Sequence, residues 1–139
     1  MPRLGQDKIF RVIDANFNRA KEGLRVCEDV TRFVLNEKTC TKEYKKIRHE
    51  LSDICSLVFK GSLICARSIE GDVGKATSAP ELKRTTVQDI FYANSQRVKE
   101  SIRVLEEFLK LAHPANALQC KHLRYQVYAL EKKILKKMG

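Results

Sequence analysis

Two stretches of this chain place a polar side chain at every third position. Asn16, Arg19, Glu22, Arg25 and Glu28 form the first ladder, and Asn94, Arg97, Glu100, Arg103 and Glu106 repeat it 78 residues later. The chemistry open to such a set is anion binding by guanidinium and amide groups. In an α-helix, steps of three residues drift about 60° each, so a ladder winds from one helix face toward the other. Asn16 falls within the apolar stripe of Ile13, Ala20, Gly23, Leu24, Cys27, Val30 and Val34, with Arg19 at its border, while Arg25 and Glu28 are expected to face away. The second copy sets Asn94 among Phe91, Val98, Ser101, Ile102, Leu105, Phe108 and Ala112, again with an arginine, Arg97, at the border. A buried amide left unpaired costs about 1–3 kcal/mol, so an Asn at the same place in both copies implies a polar contact or a binding surface. Helix-neighbour pairs such as Glu22/Arg25 contribute only about 0.2–0.5 kcal/mol each. That is too little to require the same letters twice, so Arg19 and Arg97 lead as anion ligands.

Other candidates are weaker. Gly71, Gly74 and Lys75 suggest a phosphate-cradling loop, but Ile69 and Ala76 break the GxxxxGK[ST] spacing, leaving Asp72 as the carboxylate of interest there. The five cysteines form no CxxC pair and the three histidines show no metal-ligand spacing with them, so no structural metal is expected and the thiols read as buried and inert. The net charge of +10 disposes the surface toward nucleic acid, acidic membrane or phosphorylated small molecules without choosing among them. Lys132, Lys133, Lys136 and Lys137 read as a solvated helix end favoured by the helix dipole.

The elements that must position these residues are helical. The periodicity predicts helices over about 8–36, 41–67, 84–112 and 115–137, with breaks at 36–39, 68–80 and His113-Pro114, and no strand. Lys45-Lys46-Ile47-Arg48-His49 also matches Lys121-His122-Leu123-Arg124-Tyr125, so the second helices correspond as well. The expected fold is all-α: an antiparallel helical bundle of two duplicated hairpins, with repeat 1 at about 8–67, a long central loop at 68–83 and repeat 2 at about 84–137. At 139 residues this makes one domain. No apolar run is long enough for a membrane span, and Met1 to Lys8 lacks the apolar stretch of a secretory signal, so a cytoplasmic location is expected.

The strings Arg11-Val-Ile-Asp-Ala-Asn-Phe-Asn-Arg-Ala-Lys-Glu-Gly-Leu-Arg-Val-Cys-Glu-Asp29 and Ala93-Asn-Ser-Gln-Arg-Val-Lys-Glu-Ser-Ile-Arg-Val-Leu-Glu-Glu107 resemble the small helical hydroxymethylpyrimidine phosphate kinase family of thiamine biosynthesis, a domain found alone or fused ahead of thiamine-phosphate synthase. The resemblance extends to Arg67, Asp72-Val73-Gly74 and Lys121 to Glu131. It implies an ATP-dependent kinase that converts the monophosphate to the diphosphate. The acceptor, a phosphate monoester with a second pKa of about 6, is already largely deprotonated at neutral pH and needs no catalytic histidine. Crowded phosphates do need cations, for which Arg19 and Arg97 with Asp72 are the implied catalytic set and Arg48, Arg124, Arg25 and Arg103 further phosphate ligands. Glu22 and Glu100 are the implied ligands of magnesium (Mg2+), and Asn16 or Asn94 would read the aminopyrimidine edge. The implied cofactors are ATP and Mg2+, and the implied partners are the phosphorylated pyrimidine and a thiamine-phosphate synthase, with a homo-oligomer left open. No synthase barrel follows in this chain, so synthase activity is not expected of it. Two alternatives stand beside the kinase: a non-catalytic accessory domain that delivers the intermediate to the synthase, and a basic module for nucleic acid, which the scarcity of aromatics between the basic residues disfavours.

Overall fold

The computed structural model describes residues 5–59 and 84–139. They form four helices, α1 (Gln6–Asp29), α2 (Lys38–Phe59), α3 (Val87–Leu109) and α4 (Pro114–Met138), and no strand occurs among the described residues. A π turn, Val30–Val34, continues α1. The starts of α3 and α4 and the end of α1 are set by local chemistry. α3 starts at a capping box in which the Thr86 hydroxyl accepts from Asp89 N–H and the Asp89 carboxylate accepts from the Thr86 N–H. α4 starts with Pro114 in its first turn, where the missing N–H has no helical partner to lose. The helix expected to reach 36 instead gives way to the π turn, where Leu35 N–H reaches Val30 O at 3.0 Å and Glu37 N–H reaches Thr31 O at 2.8 Å. Asn36 then takes φ 51°, a left-handed conformation that asparagine tolerates better than most residues. The expected extension of the second helix to 67, and the loop at 68–83 with Gly71, Asp72, Gly74 and Lys75, lie outside the described residues.

Each helix packs on two others: α1 on α2 and α3, and α4 on α3 and α2. Every one of these contacts is antiparallel. Cys27 Sγ lies 4.0 Å from Phe91 O, and four residues earlier Gly23 faces Asn94 and Val98, so α3 runs against α1. Lys137 meets Glu37 and Lys133 approaches Glu43, so α4 runs against α2. Because α2 and α3 therefore both begin beside the end of α1, Phe59 and Arg84 lie at opposite ends of the bundle. α2 alone has 22 residues, roughly 33 Å at about 1.5 Å each. A connection of more than hairpin length follows from this up-down-down-up arrangement.

The core is continuous through all four helices, with Phe17, Leu24, Tyr44, Leu51, Phe91, Ile102, Leu105 and Ile134 almost without solvent contact. Tyr44 and Phe91 meet edge to face with centroids 6.4 Å apart. The α1–α3 crossing depends on Gly23: a Cβ there would stand 2.6 Å from Val98 Cγ2 and 3.0 Å from Asn94 O. Two members of the expected stripes, Val34 and Ala112, are exposed, because they lie where their helices give way to turns.

Candidate functional site: two basic clefts

The outward members of the ladders turn inward. Glu28 and Glu106, expected to face away, are buried at 4% and 3% exposure. Their carboxylates meet arginines of the second helix of each hairpin. Arg48 Nε donates to Glu28 Oε1 at 3.1 Å, and Arg124 donates through Nε to Glu106 Oε2 at 2.5 Å and through Nη2 to Oε1 at 3.1 Å. A carboxylate this deep is costly unless paired, and the guanidinium supplies the pairing. The Glu106 hydrogen bond in turn lifts the Arg124 guanidinium further above its ordinary pKa. These two pairs occupy corresponding positions of the two hairpins.

The buried carboxylate of each pair lines a cleft at its hairpin turn, and in the second hairpin Arg124 lines it as well. The α1–α2 cleft, about 460 Å³, is lined by Glu28, Arg32, Asn36, Glu37, Lys38, Thr41, Lys42 and Lys45. The α3–α4 cleft, also about 460 Å³, is lined by Arg103, Glu106, Lys110, Pro114, Ala117, Leu118, Lys121, Arg124 and Tyr125. Arg32 corresponds to Lys110 at the ladder offset of 78, and Lys45 to Lys121 at the offset of 76 that relates the second helices. The clefts lie at opposite ends of the bundle, since the hairpins run antiparallel to one another. With Glu28 neutralised by Arg48 from behind its cleft and Glu106 by Arg124 within its own, the remaining cations dominate both clefts, an arrangement that attracts phosphate. Glu37 is held below the ordinary carboxylate range, first by the Lys137 hydrogen bond at 2.7 Å and further by the N–H groups of Thr39 and Cys40 that it caps. A third cleft between α2 and α4, about 280 Å³, carries Glu50 and Asp53 and lacks that cationic character.

The other expected site residues are dispersed. Asn16 is buried and Asn94 half-buried, and each donates its amide to the carbonyl four residues earlier, Val12 and Ile90, at 2.8 Å. The expected polar contact is thus made within each helix. Arg19, Arg25 and Arg97 are exposed and line none of these three clefts. Arg103 lines the α3–α4 cleft and reaches Glu107 at 2.5 Å. Arg48 and Arg124 hold the buried carboxylates. Glu22 and Glu100 are exposed, Glu100 accepting from Gln96 Nε2 at 3.2 Å. No group of three or more His, Cys, Asp or Glu that could hold a metal ion occurs among the described residues. Asp72 lies outside the described residues.

The cysteines within reach are structural. Cys27 and Cys120 are buried, and burial pushes both thiols up to about 12, so they stay protonated and unreactive at neutral pH. A further buried ion pair, Lys99 Nζ to Glu131 Oε2 at 2.6 Å with the ammonium 4.5 Å from the Tyr128 ring centroid, belongs to the second hairpin, where Cys55 stands at the corresponding place in the first. Sequence reasoning passed over this pair, and also over Arg32, Lys42, Lys110 and Lys121 as cleft residues. The match of Lys45 with Lys121 was the available signal.

The ThiD2 family model matches residues 11–133 of the chain. The chain belongs to the ThiD2 family. Among curated relatives, the thiamine-phosphate synthase of Synechocystis sp. is 43% identical over 136 residues, covering 97% of this chain and 38% of the relative. The enzyme of the same name from Nostoc punctiforme is 40% identical over 131 residues, covering 94% and 36%, and that of Rhodopirellula baltica is 36% identical over 132 residues, covering 94% and 35%. This ThiD2-family chain therefore spans little more than a third of the length of the relatives it matches. No solved structure matches it. The comparisons correct one expectation: the relatives carry the name of a synthase and not of a kinase, so the assignment as a hydroxymethylpyrimidine phosphate kinase is withdrawn. No helix among the described residues is long and apolar enough to cross a membrane.

Proposed function

We propose that this chain serves thiamine biosynthesis as a non-catalytic accessory unit of thiamine-phosphate synthesis, holding a phosphorylated intermediate in its basic clefts for a synthase to use. The observation that carries this reading is the coverage: 97% of the chain aligns with an enzyme named thiamine-phosphate synthase, of which it fills 38%. Such a chain corresponds to one section of those proteins. Its geometry suits binding. Each cleft surrounds a neutralised carboxylate with lysine and arginine side chains, which favours a phosphate group. Holding the ligand through rim cations lets it be released to a partner, because exposed charges bind with screened, moderate strength.

Calorimetric titration of the chain with hydroxymethylpyrimidine phosphate tests this. Saturable binding that weakens as salt rises is expected, with the ligand recovered unchanged. No heat at millimolar ligand, or formation of a diphosphate when ATP and magnesium are added, would refute the proposal.

A further inference from the structure

We infer that the outward face of α1 and α3 is a contact between two copies of this chain. The exposed ladder residues Arg19, Glu22, Arg97 and Glu100 line none of the three clefts, and none of them forms an ion pair among the described residues. On α1 they belong to a stripe of Val12, Ala15, Arg19, Glu22 and Val26, whose steps alternate between three and four residues. Ile90, Ala93, Arg97, Glu100 and Val104 form the same stripe on α3. That spacing is the one by which a helix presents a seam to another helix. The apolar members are half-buried, or 37% exposed in the case of Ile90, so both stripes reach solvent. Arg19 and Arg97 lie about 40–60° round their helices from Gly23 and Asn94, which meet at the α1–α3 crossing, so the stripes adjoin in one face.

The charges of this face select a second copy as its occupant. A chain of net charge +10 repels another of the same kind over most of its surface, whereas paired arginines and glutamates leave this face balanced. The signs are also self-complementary. Antiparallel pairing of α1 with α1 of the other copy, centred between residues 20 and 21, sets Arg19 against Glu22 and Ala15 against Val26. The same pairing of α3, centred between residues 98 and 99, sets Arg97 against Glu100 and Ala93 against Val104. Gly23 stands between Asn94 and Val98 on its antiparallel neighbour, which brings the two centres to one height along the bundle. A single twofold axis therefore satisfies both pairings, as a closed isologous dimer requires. The alanines let the helices approach, and a charged layer between apolar layers fixes their register. The repeated Arg and Glu of the ladders thereby share one role.

Sedimentation of the whole chain tests this, with circular dichroism to verify folding. Wild type at micromolar concentration should sediment at twice the 16.0 kDa of one chain. An acidic variant, Arg19→Glu with Arg97→Glu, and a basic variant, Glu22→Arg with Glu100→Arg, should each sediment as a monomer. Association should weaken about a hundredfold or more once like charges meet. An equal mixture of the two variants should recover the double mass, because each acidic face then meets a basic one. Monomeric wild type, variants that pair as wild type does, or a mixture that fails to recombine would each overturn the inference. A monomeric wild type that instead co-sediments with a separate thiamine-phosphate synthase, and loses it on charge reversal, would assign the face to that enzyme and overturn the second copy as its occupant. None of the substituted residues lines a cleft, so the binding role proposed above stands or falls separately.

Discussion

Replacing Arg124 by methionine should destabilise the protein more than replacing its partner Glu106, although the two make the same contact. The reason is what each substitution leaves behind. The Glu106 side chain is 4% exposed and that of Arg124 15%. Arg124→Met strands a deep carboxylate whose nearest remaining cation is Arg103, 3.9 Å away and 53% exposed. Breaking a buried pair from the cationic side costs about 3–5 kcal/mol, and the Arg103 contact places this case near 3. Glu106→Met leaves a guanidinium at the mouth of a cleft, where it can turn to water, so the loss is about 1.5–2 kcal/mol, the low end for charged hydrogen bonds. The double variant should cost little more than the milder single one, because an apolar pair of similar volume needs no counter-charge. A double-mutant cycle should thus give a coupling of about 2–3 kcal/mol, well above the 0.3–0.5 of independent sites. Urea unfolding measures it: with a slope of about 1–3 kcal/mol/M, Arg124→Met should move the midpoint by about 1–3 M. Equal losses for the two single variants, or additivity, would refute the claim that Glu106 is a buried carboxylate dependent on Arg124.

Gly23→Ala should destabilise by about 1–2 kcal/mol despite the better helix propensity of alanine, because the added methyl meets Val98 and the Asn94 carbonyl; Gly23→Ala combined with Val98→Ala should relieve the clash between methyls but forfeit core contact. Thermal unfolding distinguishes the two. The Glu37–Lys137 pair should contribute only within a pH window. Glu37 is lowered from 4.5, so its share is present above 4.5 and lost as pH falls through the folded value. Lys137 is raised from 10.5, so its share is present below 10.5 and lost as pH rises through the folded value. Stability curves of wild type and Lys137→Met should therefore converge in strong acid and strong alkali and separate at neutral pH. Glu107→Gln should strengthen anion binding, since Lys110 and Arg103 hold Glu107 below its ordinary pKa and are themselves held by it. Phosphate titration of the variant measures the change, and weaker binding would contradict it.

The helices and their pairing were legible because apolar residues recur with helical period on α1 and α3, and because Pro114 and the Asn36 region interrupt that period. What the periodicity concealed was a second neighbour. α1 packs on α3 through one face and on α2 through another, and a single wheel scores only the apolar face as buried. Glu28 and Glu106 lie under the second helices, where a carboxylate is tolerated only because Arg48 and Arg124 arrive there. Both halves of that pairing were repeated in the sequence, but their distance along the chain hid the contact. Asn16 and Asn94 misled for a related reason. A buried amide needs a partner, and the carbonyl one turn earlier serves without any ligand. Cleft cations such as Lys42 and Lys110 carry no periodic signal, since each lies beside a turn and is recognisable only once the hairpin closes.

The most direct test is an amide-resolved NMR titration of the full chain with hydroxymethylpyrimidine phosphate. Shifts are expected to concentrate on the cleft linings, around Arg32, Lys42 and Lys45 of the α1–α2 cleft or Lys121, Arg124 and Tyr125 of the α3–α4 cleft. Shifts confined to Arg19 and Arg97 on the exposed α1–α3 surface, with both clefts silent, would contradict it.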